Sequence, residues 1–245
     1  VKSSTDRTTR LTRFLKALPT AEPVVFPDAD DPVAVLVQSW LLWETTTARA
    51  LGAYEALRRK FVDFNDLRTS MSDEIAEALP SRYPGAVERA ERMRASLRSI
   101  YLREHAVSLE SIRDQGKRDA RRYVESLEGI VPFVAARLVL LSFGTHVIPV
   151  DGALLVKLRE EDVVEETATQ ADASGVLTRA VKAGDGEAVH ASLQAWVEAG
   201  GSAPAKVSRR APAANASKSA AASGRTPARK GAERPRKRNK AGETG

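Results

Sequence analysis

The residues whose types and spacing could do chemistry concentrate between Leu127 and Asp151, in the run L-E-G-I-V-P-F-V-A-A-R-L-V-L-L-S-F-G-T-H-V-I-P-V-D. Read physically, a helix stops at Gly129, a tight hairpin turns through Ile130 and Val131, and an apolar helix runs from about Pro132 to Phe143. Proline suits the first turn, where its missing N–H would have had no partner. Such a hairpin aims backbone N–H groups and a helix N-terminus outward, so a phosphate can be bound without a basic side chain. Asp151 stands directly before the run Gly152 to Arg159, where an aspartate can cap a helix. Other chemistries are poorly served. The absence of cysteine removes disulfides, thiolate-held iron–sulfur clusters and a cysteine nucleophile. His105, His146 and His190 lack the i, i+4 pairing of a local zinc motif, so no metal and no cofactor is expected.

The elements that must position these residues read as helix after helix, punctuated by Pro, Gly, Ser and Asp, an all-α pattern. A first helix is predicted from Thr8 to Leu18, followed by a loop that delivers Asp31 and Pro32 as cap and first-turn residue of a buried helix over Val33 to Trp43. Thr46 to Phe61 is amphipathic through Leu51, Tyr54 and Leu57, and Ser72 is expected to cap a short helix that ends at Pro80. Gly85 to Glu104 carries Ala86, Ala90, Met93, Leu97, Ile100 and Tyr101 on one stripe. Its arginines, Arg89, Arg92, Arg94, Arg98 and Arg103, alternate with glutamates and read as a solvated face rather than a phosphate-binding strip. Short helices follow from Ser108 and over Lys117 to Leu127, and a helical pair over Ser174 to Gly200 is expected to pack through Leu177, Val181, Val189, Leu193 and Trp196.

Charge divides the chain. Of 38 Lys+Arg and 32 Asp+Glu, residues 201–245 hold 12 and 2, which leaves 26 and 30 in residues 1–200. The tail is therefore strongly basic and the body mildly acidic, so the body does not announce nucleic-acid binding by charge. With almost no large apolar side chain, the tail cannot offset its conformational entropy and is expected to be disordered. Its densest part, Arg234 to Lys240, fits a nonspecific phosphate-binding arm. No apolar run approaches the roughly 18 residues of a membrane span, and the first residues lack a signal-peptide core, so the expectation is a cytoplasmic, nucleoid-associated monomer without a membrane partner.

The Leu127–Asp151 segment resembles the pattern L-P-G-V-G-R-K-T-A, then an apolar helix, F-G, a short loop and V-D, of the helix-hairpin-helix DNA glycosylase superfamily typified by endonuclease III. Leu127, Gly129, Ala135, Phe143-Gly144 and Val150-Asp151 fall at the family spacing without a gap. The resemblance extends over about residues 31–200. It implies a two-lobed helical endonuclease III-like fold, here with an N-terminal helix and loop (1–30) and the basic tail (201–245). It implies double-stranded DNA as partner and Asp151 as the carboxylate that stabilises positive charge on a deoxyribose as its base departs. It also places Gly129, Ile130, Val131 and Phe133 at the DNA backbone, Trp43 and Glu44 in a base pocket, and Arg82 or Tyr83 at the gap left by a flipped nucleotide.

Departures from the pattern matter as much. The nucleophilic lysine of the bifunctional relatives is replaced by Phe133, which removes the amine for a Schiff base and hence the lyase step. The hairpin's second glycine is Val131, Pro132 cannot donate, and the four-cysteine cluster is missing. Two functions stay open: a monofunctional DNA glycosylase in base-excision repair, or a catalytically silent DNA-binding module; an all-α adaptor with no DNA role leaves the motif spacing unexplained. Asp151→Asn is expected to leave stability nearly unchanged, since asparagine caps helices about as well as aspartate. Truncation after Gly200 should flatten the dependence of DNA affinity on salt, because up to 12 tail cations displace counterions. A salt titration giving the same slope with and without the tail would contradict this.

Overall fold

The computed structural model of the protein describes the backbone of residues 4–201 and the side chains of residues 7–201. The basic arm and its expected disorder lie outside the described residues. Twelve α-helices, one 3-10 turn and no strand occur among the described residues.

The organising element is α2 (Pro32–Leu42), every residue of which is buried. Its start is as the sequence requires: Asp31 accepts the Val33 N–H at 2.8 Å and Pro32 fills the first turn. A helix buried all round must also satisfy its last four carbonyls, which have no partner inside the helix. Here Ser39 O and Leu42 O accept the backbone N–H of Trp43 and Thr45, both at 3.0 Å. Leu41 O accepts the Tyr83 hydroxyl at 2.6 Å, and Trp40 O accepts the Arg89 guanidinium. Arg89 also donates to Trp43 O at 2.7 Å and to Pro84 O.

The solvated reading of Arg89 is thereby corrected. It is 2% exposed and lies on the buried stripe of α6 (Ala86–Glu104), together with Ala90, Met93, Leu97 and Ile100. Tyr101 leaves that stripe and is exposed, with Arg68 of α4 (Phe64–Thr69) stacked over its ring at 4.0 Å. Helix α4 was not expected, because six residues are too few to show a period; Asp63 caps it by accepting the Asp66 N–H at 2.7 Å. In α5 (Ser72–Ala78) the cap position is Met71 rather than Ser72, and its N–H donates to the Glu74 carboxylate at 2.9 Å.

Two apolar cores give the two lobes. The first gathers α2, α3 (Thr47–Lys60), α4, α5, α6, α7 (Glu110–Arg113), α8 (Lys117–Glu125) and α9 (Pro132–Phe143), together with Phe26 and Val147. The second joins α1 (Ser4–Ala17), α10 (Gly152–Glu160), α11 (Gln170–Ala180) and α12 (Gly186–Glu198), together with Ile148 and Val150. The chain passes from one core to the other between Val147 and Ile148. The described residues before Asp31 join both cores: Leu11 and Phe14 belong to the second, with the Phe14 ring 4.9 Å from Trp196, and Phe26 belongs to the first. Gly201, assigned to the tail by its composition, ends α12 by donating its N–H to Trp196 O at 2.9 Å.

Arg89→Met should keep the apolar volume while leaving carbonyls at the end of α2 unpartnered. The expected loss is about 2–4 kcal/mol, read by chemical denaturation. A loss below about 0.5 kcal/mol, the range of an ordinary surface change, would mean that Arg89 is not the cap of α2.

Candidate active site at the junction of the lobes

The hairpin between α8 and α9 is held from below by α6. Gly129 has φ +77°, and a Cβ there would lie 3.1 Å from Arg92 O and 3.3 Å from the Ala95 side chain. Glycine is therefore required twice, for the left-handed backbone and for the close approach. Ser96 Oγ donates to Glu128 O at 3.0 Å and Arg92 Nη1 to Gly129 O at 3.2 Å, so the hairpin's carbonyls are bonded on the α6 side. Ile130 donates its N–H to Leu127 O at 3.3 Å. At the start of α9, Val131 supplies no side-chain cap and Pro132 carries no N–H, which leaves the amides of Phe133 and Val134 as the first-turn donors.

From α9 the chain turns at Gly144, φ +56°, crosses between the cores and reaches Asp151. Asp151 is 5% exposed. One carboxylate oxygen accepts the Leu154 N–H at 2.9 Å and caps α10; the other accepts the Glu44 N–H at 3.1 Å from beyond the end of α2. Capping and bridging are thus one arrangement of the same carboxylate. Glu44 itself adopts φ +51°, a left-handed conformation that costs a non-glycine residue about 1 kcal/mol or more. Its carboxylate reaches over α10: a Cβ at Gly152 would stand 2.8 Å from Glu44 Oε1, so glycine after the aspartate gives the glutamate its place.

The structure sorts the remaining residues singled out in the sequence. Gly129, Ile130 and Val131 are half-buried at the hairpin, and Trp43, also half-buried, packs edge-on to Trp40 at 5.8 Å and beside the Arg89 guanidinium at 5.4 Å. Arg82 is exposed with φ +59°, its carbonyl accepting from Arg49 Nη2 at 2.9 Å. Two assignments are corrected. The Phe133 side chain is buried and faces the His190 ring at 6.2 Å, so only its backbone amide is available to a phosphate. Tyr83 is buried with its hydroxyl on Leu41 O and cannot enter a DNA gap without uncapping α2. Arg89 and the α12 residues facing the junction were missed. The signal for Arg89 was its i, i+4 spacing to Met93; the α12 residues gave none, since they meet the first lobe only in space.

Helix α12 reaches across the junction to the first lobe. Gln194 Nε2 donates to Thr45 O at 3.1 Å, and Glu198 accepts both the N–H and the hydroxyl of Thr47 at 2.7 Å, capping α3 from the other lobe. Between α12, α2, α9 and the loop that carries Phe26 lies a cavity of about 330 Å³. Arg137 and His190 form part of its wall.

No protein-family model matches the sequence. No curated protein matches it either. Solved structures do. The chain is similar to a trapped covalent intermediate of endonuclease III with DNA (TM-score 0.60, 15% identity, covering 80% of this chain and 86% of that one). It is also similar to a thermostable thymine-DNA glycosylase (0.55, 16%, 80% and 88%) and to an H. pylori 3-methyladenine DNA glycosylase bound to 1,N6-ethenoadenine (0.57, 14%, 81% and 99%). At these identities the likeness establishes the endonuclease III-like fold.

Burial acts on two titratable groups of the junction in opposite directions. Asp151 is held above the ordinary aspartate range because desolvation outweighs the N–H groups that point at it. A raised carboxyl contributes stability that is present below about pH 3.9 and lost as pH rises through the folded value. His190 is depressed to about 3, first by burial and then by the neighbouring Arg137 charge. Its contribution is present above about pH 6.5 and is lost on acidification toward 3. His190→Phe should therefore flatten the acid limb of stability, removing a slope of up to about 1.4 kcal/mol per pH unit over that window. Equal slopes for parent and variant in denaturation at stepped pH would show that His190 is free to protonate in the folded protein.

Proposed function

We propose that this endonuclease III-like fold is a DNA-binding base-excision-repair protein that hydrolyses the N-glycosidic bond of a flipped, damaged or mismatched base without a lyase step. The observation that carries this reading is the placement of Asp151: a buried carboxylate at the junction of two lobes, one helix on from a hairpin that leaves the first amides of α9 uncapped. The hairpin amides and the N-terminus of α9 would hold a backbone phosphate, which requires no basic side chain. Arg82, exposed at its turn, would occupy the space of the extruded nucleotide, and Trp43 and Glu44 would meet the base or sugar at the mouth of the junction.

As the base leaves C1′ with the bonding electrons, positive charge develops on the sugar. Asp151 stabilises that charge in a site from which bulk water is largely withdrawn; one water then forms the new bond to C1′, and the proton it loses passes through solvent to the departed base. The unusual cost of ionising a buried aspartate is offset as the cation forms beside it. Phe133 carries no amine, so the sugar is released as an abasic site with the strand intact.

A second reading, a silent DNA-binding module, is favoured by the burial of Phe133 and by the commitment of both Asp151 oxygens to backbone N–H groups. Duplexes carrying a panel of lesions, treated with hot alkali after incubation, separate the two: scission only after alkali marks hydrolysis, and no release from any lesion favours the module. Asp151→Asn should lower release at least about a hundredfold. Near-neutral stability is no longer expected for it, because the amide NH2 replaces an acceptor of the Glu44 N–H. The loss should be about 1 kcal/mol or more. A variant that releases base as fast as the parent would remove Asp151 from the chemistry.

A further inference from the structure

Arg137 is a charged side chain in an apolar setting. It lies 5% exposed in the middle of an apolar helix, and no carboxylate pairs with it among the described residues. Its Nη1 donates to Ser39 Oγ at 2.9 Å, and its guanidinium stacks 5.4 Å from the Phe26 ring. Nε has no partner at all. Desolvation alone brings the guanidinium down to about 10, so it stays charged at neutral pH. A buried, charged donor with hydrogens unspent normally acquires a partner, or is lost in favour of an apolar residue.

The partner's place is beside it. Arg137 and His190 stand in the wall of the cavity of about 330 Å³, whose other walls are largely aliphatic, with Phe26 alongside. That volume falls within the roughly 300–1,000 Å³ of small-ligand pockets. Gln38 is uncharged and gives one N–H to Pro27 O at 2.7 Å, and buried His190 stays neutral, so Arg137 supplies the positive charge. The mouth has the opposite character: exposed Glu22, Glu187 and Glu198 stand there, and Glu198 is the one already committed to Thr47 and Gln194. An anion would be attracted by the floor and repelled at the entrance. A flat, neutral molecule with acceptors on its inner edge and N–H donors on its outer edge suits both.

We propose that this cavity binds a planar lactam-type heterocycle, with carbonyl and ring-nitrogen acceptors turned to Arg137 and N–H donors turned to the glutamates at the mouth. The inference does not depend on hydrolysis at Asp151. Guanine has that polarity, with adjacent O6 and N7 acceptors that a guanidinium can take in pairs, whereas adenine offers an N6 donor in place of the O6 acceptor. The heterocycle could come free from solution or as a base extruded from DNA, and the chemistry of recognition is the same.

The test uses the full chain and two probes. In the first arm, 9-methylguanine and 9-methyladenine are titrated calorimetrically into the parent, into Arg137→Met and into Ala191→Phe, which narrows the cavity from α12 while keeping the arginine in the sequence. The parent should prefer 9-methylguanine by at least about tenfold, and both variants should lose that preference. In the second arm, fluorescence anisotropy compares a duplex with guanine opposite an abasic site and the fully paired duplex. An Arg137-dependent preference for the unpaired guanine identifies DNA as the source; dependence confined to the first arm identifies a free heterocycle. If Arg137→Met matches the parent in both arms, or 9-methyladenine binds as well as 9-methylguanine, the proposal is wrong. Arg137→Met retains an apolar side chain of similar length, so its fold should survive; Ala191→Phe provides the independent check.

Discussion

One carboxylate accepts an N–H group from each of two lobes, and the geometry of the whole junction follows from it. The two bonds of Asp151, to Leu154 and to Glu44, tie the start of α10 to the end of α2 three residues after the chain has entered the second core. A capping aspartate on an isolated helix would be solvated and ordinary. Drawn against the first lobe, the same side chain is desolvated, held in one orientation and biased toward its neutral form, so it gains most when a positive charge appears beside it. The left-handed turn at Glu44 is part of this arrangement, since its strain is offset by the bond its N–H makes to Asp151.

That bond requires the end of α2 to stay in place, which is a question of carbonyls. A helix with no solvent-facing side cannot leave its terminal acceptors to water. Tyr83 and Arg89, from the turn before α6 and from α6 itself, reach in to accept that role, and Trp43 rests beside the guanidinium. The positive charge opposes the negative end of the helix dipole, the sign that stabilises a C-terminus.

These internal uses of arginine draw positive charge away from the surface of a body that is already mildly acidic by composition. Arg89 and Arg137 serve buried acceptors, and Arg92, Arg121 and Arg122 sit in short ion pairs with Glu88, Glu125 and Asp119. Exposed pairs of that kind add little stability, yet they remove field from the surface. On the proposed function, DNA contact falls to backbone amides at the hairpin and to the basic residues after Gly201, a division of labour between position and nonspecific attraction.

Much of this was legible in the order of residues alone. The periods of the helices, the Asp31-Pro32 start of α2, the glycine at the hairpin, the span of α9 and the cap at Asp151 are local matters, decided by backbone preference and by spacing within a few residues. The spacing of Leu127 to Asp151 was enough for the fold. What lay beyond the sequence was every role set by a neighbour distant along the chain. Phe133 and Tyr83 occupied plausible surface positions until α12 and the end of α2 covered them, and the arginines of α6 all looked alike until Arg89 was found on the carbonyls of Trp40 and Trp43 at the end of α2. Arg137 read as one more residue of an apolar helix. Only the approach of α2 and α12 to α9 shows it to be a charge with no carboxylate paired to it among the described residues, in the wall of a cavity, because burial and pairing are properties of what surrounds a side chain and not of the side chain itself.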